Sequence, residues 1–91
     1  MDIKSFFINI IEQFLAGQLN RKTVSETIAN ELPFDVIEGD SSNLMTNCEW
    51  ALRHINEPEY WTPKNELKYY LACLKGEKEF SPIERDKTIL D

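Results

Sequence analysis

Basic residues are scarce in this chain: ten Lys and Arg stand against sixteen Asp and Glu, for a formal net charge of −6 and a pI near 4.7. Neutralising phosphates requires a basic surface, so direct nucleic-acid binding is not expected. Cysteine is equally sparse. Cys48 and Cys73 stand twenty-five residues apart, a spacing that fits neither paired zinc ligands nor a disulfide-dense secreted scaffold, so two reduced and mostly buried thiols are expected. Long apolar runs are missing too. The stretch Phe6 to Leu15 is broken by Asn9, Glu12 and Gln13, which makes it neither a signal-peptide core nor a membrane span and predicts a cytoplasmic product. Only three glycines, a hydrophobic fraction of 42%, five Phe, three Tyr and two Trp argue for a folded chain. Residues 1–91 form one domain that buries somewhat less than about 70% of its unfolded surface and gains roughly 5–10 kcal/mol of stability. That size leaves no room for a deep cofactor cleft.

What the chain does have is segregated charge. Between Lys22 and Arg53 lie six acids (Glu26, Glu31, Asp35, Glu38, Asp40 and Glu49) and no Lys or Arg, while the rest balances at ten acids and ten bases. An excess gathered in one segment makes a local field that steers and orients a cationic partner. The chain therefore reads as a small acidic binding protein, with a solvated acidic loop as the plainer alternative.

Helical periodicity runs through the chain. Ile3, Phe6, Phe7, Ile10, Ile11, Phe14 and Leu15 recur at i, i+3, i+4, i+7 spacing, and Ile8 widens the apolar arc to roughly 200°. Such a first helix touches two neighbours or crosses the others, and could also feed a dimer, so monomer and homodimer both stay open. Gly17 ends this helix and Asn20 caps the next, with Leu19 and Val24 as a hydrophobic staple. Helix two, about Arg21 to Glu31, carries a thin stripe of Val24, Ile28 and Leu32 and stops before Pro33. Phe34 to Gly39 reads as a loop. Asp40 or Ser41 caps helix three, about Ser42 to Ile55, whose inner face is Leu44, Cys48, Ala51, Leu52 and Ile55. Thr62 as cap and Pro63 at the first helical position start helix four, which runs to about Lys75 with a stripe of Leu67, Tyr70, Leu71 and Leu74. Gly76 ends it, and Ser81-Pro82-Ile83-Glu84 supplies a capping box for a last short helix. The sequence thus predicts an all-α fold, a small antiparallel helical bundle of four main helices plus a short C-terminal helix.

Catalytic and metal sites find little support. Asp35, Glu38 and Asp40 sit in a short loop without the apolar pocket that would separate two carboxylate pKa values, and they lack the ligand spacing of a calcium loop. Cys48 and His54 are six positions apart on one helix, about 240° of rotation, too far round for a hydrogen-bonded Cys–His nucleophile. A pairing of His54 with Cys73 across the bundle stays open, but Tyr70, Leu71 and Leu74 beside that thiol indicate packing. Trp50 points away from the helix-three stripe, flanked by Glu49 and His54. Either the Tyr60-Trp61 linker folds over it, or it is an interface anchor ringed by orienting charges.

The opening helix ending Phe14-Leu15-Ala16-Gly17-Gln18-Leu19, the capped helix after it with Val24 and Ile28, and the late Glu66-Leu67-Lys68-Tyr69 together resemble immunity proteins of the colicin-D type and of contact-dependent growth-inhibition systems. The resemblance covers chiefly the first thirty residues. It implies a non-enzymatic helical bundle, with no catalytic residue, cofactor or metal, that covers the basic RNA-binding cleft of a toxin nuclease with an acidic face. Carboxylates would then occupy the places of RNA phosphates. The charges and the aromatic anchor select Glu31, Asp35, Glu38, Asp40, Glu49 and Trp50 as toxin contacts. Two rivals stand beside this expectation. A carrier domain would use Asp40-Ser41 for a phosphopantetheine arm, although Ser42-Asn43 follow where leucine is usual. An adaptor would self-associate through its apolar first helix.

Overall fold

Helix α1, Ile3–Leu15, starts at Asp2, whose carboxylate accepts from the Ser5 N–H at 3.3 Å and the Ser5 hydroxyl at 2.8 Å. These bonds satisfy an amide that the first helical turn leaves open and hold the Asp2 carboxyl below the ordinary carboxylate range. At the far end Gly17, at φ 80°, donates to the Phe14 carbonyl while Gln18 donates back to Gln13 at 2.8 Å. This doubly bonded closure needs a left-handed residue, which glycine adopts without a Cβ penalty. Asn20 then caps α2, Arg21–Glu31, by accepting from the Thr23 N–H at 2.7 Å. Leu32 takes an extended backbone, as the residue before a proline does.

The computed structural model describes residues 2–32, 44–58 and 62–90. Beyond α1 and α2 it contains α3, Leu44–Arg53, α4, Lys64–Leu74, and α5, Pro82–Leu90. The fold is all-α, a small antiparallel helical bundle of four main helices with a short fifth, and no strand occurs among the described residues. Its radius of gyration of 12.1 Å matches a chain of this length packed around one core. Among the described residues no helix is long and apolar enough to cross a membrane.

The predicted stripes supply the core, except that Leu44 and Leu71, expected on the inner faces of helices three and four, are only partly buried against it. Phe7, Ile10, Ile11 and Phe14 of α1 meet Val24, Ile28 and Leu32, then Cys48, Ala51, Leu52 and Ile55, then Leu67, Tyr70 and Leu74. Burying each large side chain contributes about 1.5–3 kcal/mol relative to exposure. The wide arc of α1 is explained by its three neighbours, since it packs on α2, α3 and α4 together. Ile3, Phe6, Ile8 and Leu15 lie partly buried at its margins.

Three local expectations are corrected. Helix α3 closes at Arg53 rather than Ile55, because the Ser25 hydroxyl takes the Arg53 carbonyl at 3.0 Å and Arg21 Nη1 takes the Ile55 carbonyl at 3.2 Å. Those side chains replace helical partners, and the chain turns while Ile55 stays fully buried. Thr62 does not cap α4. Its hydroxyl donates instead to the Ala51 carbonyl at 3.3 Å and its carbonyl accepts from Arg21 at 2.7 Å, which leaves Pro63 in the cap position without a side-chain bond. Nor does Glu84 complete a capping box, since the Ser81 N–H is given to the Tyr69 hydroxyl at 2.9 Å and Glu84 pairs with Lys87 at 3.2 Å. The expected loop from Phe34 to Gly39, the expected Asp40 or Ser41 cap with a helix start at Ser42, and the Tyr60-Trp61 linker lie outside the described residues.

Candidate interaction face on helices two and three

Arg53 joins the two helices. The chain around it alternates so that Cys48, Ala51, Leu52 and Ile55 turn inward, and Arg53 lies at the edge of that stripe, only 9% exposed. Its Nη2 donates to the Leu32 carbonyl at 2.8 Å, closing the C-terminal end of α2, and its Nε donates to the Glu49 carboxylate one turn back. A buried guanidinium with two oxygen partners is the arrangement that makes such a charge tolerable. The stem covers apolar surface as well. With Arg21 and Ser25 binding carbonyls past the end of α3, these contacts fix α2 and α3 antiparallel.

Of the residues expected in the site, three fall on this face. Glu31 is exposed at the last position of α2, beside the Leu32 carbonyl that Arg53 holds. Glu49 is half-buried and committed to Arg53, so it is a fixed, partly neutralised charge rather than a loose carboxylate. Trp50 is 48% exposed, on the side of α3 away from the core, with its ring 4.5 Å from that of His54. His54 Nδ1 in turn stands 3.1 Å from a Glu57 carboxylate oxygen. Through Arg53 the structure thus brings Glu31 and Glu49 to one edge, with Trp50 next in the chain to Glu49. Asp35, Glu38 and Asp40 lie outside the described residues.

Both cysteines are free and buried, and burial pushes the Cys48 thiol far up, with the charges of Glu49 and Glu66 acting in the same direction. A thiol held protonated in this way is no nucleophile. Among the described residues no group of three or more His, Cys, Asp or Glu could hold a metal ion. An open groove beside α5 is lined by Tyr69, Lys78, Glu79, Glu84, Lys87 and Thr88, where opposite charges offset one another.

Sequence reasoning missed two groups. Arg53 entered the sequence reading as the base that bounds the acidic segment, and nothing in helical periodicity distinguishes an arginine at the edge of a stripe from one in solvent. Glu66 is 7% exposed inside α4, where burial raises its carboxyl above the ordinary range although the Tyr70 hydroxyl bonds to it and the Arg85 charge lies near. Its signal was present as the one acid one turn before Tyr70 on the inward stripe. Comparison of the chain with protein-family models, with curated proteins and with solved structures returned no match.

Proposed function

We propose that the chain is a cytoplasmic, non-catalytic inhibitor of the immunity-protein kind, which binds a cognate bacterial toxin domain and covers the basic cleft of an RNA-cleaving nuclease. The observation that carries this reading is Trp50. A large indole 48% exposed on the helix that closes the acidic segment is the kind of anchor that dominates protein interfaces. Six net negative charges confined between Lys22 and Arg53 suit a basic partner. Glu31, Asp35, Glu38, Asp40 and Glu49 supply the charge contacts in this proposal, with Glu49 pre-oriented by Arg53. The proposed partner is therefore a basic protein domain, with neither nucleic acid nor membrane bound directly.

Growth rescue tests it. The C-terminal domain of the large protein encoded immediately upstream is expressed with and without this chain, and surviving cells are counted. Rescue together with co-purification supports a dedicated inhibitor. Toxicity untouched by this chain, or reversal of Glu38 and Asp40 charges without loss of binding, overturns the assignment.

A further inference from the structure

Helix α5 supplies no residue to the buried core among the described residues. Pro82, Ile83, Glu84, Asp86 and Lys87 are exposed, and Ile83 is 70% so. Among the described side chains of α5, what holds the helix is polar. Arg85 Nη1 donates to Asn47 Oδ1 on α3 at 3.1 Å and to the Tyr70 hydroxyl on α4 at 3.4 Å. Just upstream, the Tyr69 hydroxyl accepts from the Ser81 N–H at 2.9 Å and donates to the Glu79 carbonyl at 3.1 Å. Between these two points the half-buried Phe80 ring lies 6.1 Å from the rings of both Tyr69 and Tyr70. The turn before it is closed separately, by Gly76 at φ 80° and by the Glu77 N–H on the Ala72 carbonyl at 2.9 Å.

We propose that residues 79–90 form a strap hinged at the Gly76 turn, latched by Arg85 and the Tyr69 hydroxyl, that swings off α4 as a unit while α1 to α4 stay folded. Segments that bury few apolar contacts open locally at free energies well below global unfolding, and the described part of α5 is such a segment. The helix α4 closure belongs to α4 itself, so opening need not disturb it. Release uncovers the outer faces of Tyr69 and Tyr70 and gives water access to the buried Glu66 carboxyl. The strap is thus a device by which the molecule changes the surface of α4 at the expense of the Phe80 packing while the fully buried residues of α1 to α4 stay in place, and it does not depend on the inhibitor reading.

Native-state amide exchange on the whole chain, resolved by helix, decides this. In the wild type the α5 amides exchange at least roughly tenfold faster than those of α1 and α4. Arg85→Met keeps the stem but removes the two charged hydrogen bonds to α3 and α4 together with the one to Asp86 within α5, and it accelerates α5 exchange by roughly tenfold or more while α1 to α4 keep their rates. Tyr69→Phe keeps the ring packing and speeds exchange of the Ser81 amide. The strap is overturned if wild-type α5 is as protected as α1, if Arg85→Met leaves α5 unchanged, or if it loosens or unfolds all helices together.

Discussion

Glu66 shows how one carboxyl can tie stability to pH. Burial raises its pKa in the folded chain, while in the unfolded chain it titrates normally, so folding takes up a proton between those two values. Its contribution to stability is fully present below the ordinary carboxylate range and is lost as pH rises through the raised value. Glu66→Gln keeps a hydrogen-bonding oxygen for Tyr70 without a charge to desolvate. Urea titrations between pH 4 and 7 should show the variant no less stable than wild type at neutral pH and with a flatter pH slope. Trp50 is the opposite kind of residue, half exposed on α3 and outside the buried core. If Trp50 anchors the proposed toxin partner, Trp50→Ala should change folding stability by less than about 1 kcal/mol, yet raise the dissociation constant for that partner roughly tenfold or more, mainly through faster dissociation in surface-binding kinetics. An equal loss of stability and binding would place Trp50 in the fold instead.

At the scale of elements, the helix starts and stops explain which expectations held. Gly17 and Gly76 end α1 and α4 at φ 80°, with nothing within 4 Å of where a Cβ would sit. Gly17→Ala and Gly76→Ala should therefore each cost only the backbone penalty, about 1 kcal/mol, seen as a few degrees of melting temperature by circular dichroism. Asn20 was legible as a cap because its oxygen reaches an amide three residues ahead within its own helix. Thr62 and Ser81 were misread for a reason of distance. Each satisfies a group far along the chain, the Ala51 carbonyl for Thr62 and the Tyr69 hydroxyl for the Ser81 amide, and cap patterns describe only near neighbours. The apolar stripes were legible since burial follows the 3.6-residue period whatever the partner helix. Arg53 and Arg21 were not, because their partners are backbone oxygens that exist only once α2 and α3 lie side by side.

For the whole molecule, the uneven charge is the property that acts at range. If the acidic segment steers a basic partner, the association rate in stopped flow should fall about tenfold or more between low and physiological salt, with dissociation far less affected. A salt-independent association rate would leave those acids as solvated surface. Of the six residues singled out for binding, the sequence placed Trp50 off the core stripe by its position on the helical wheel and left open whether the Tyr60-Trp61 linker covers it, while it took Glu49 as a charge contact without a partner inside the molecule. The salt bridge to a buried Arg53 was invisible to it, for a stripe records which side chains turn inward and not which carbonyl a long side chain will find. By itself the sequence determined the all-α fold, the inward faces, the two glycine-ended helices and the acidic bias, all of which follow from spacing and charge along one chain. Tertiary structure alone decided that Arg53 and Arg21 bind α2 to α3, that Glu66 is buried beside Tyr70, and that α5 is latched by Arg85. Each of these depends on groups distant in sequence meeting in a low-dielectric interior, where an unpaired polar atom is costly enough to dictate its own partner.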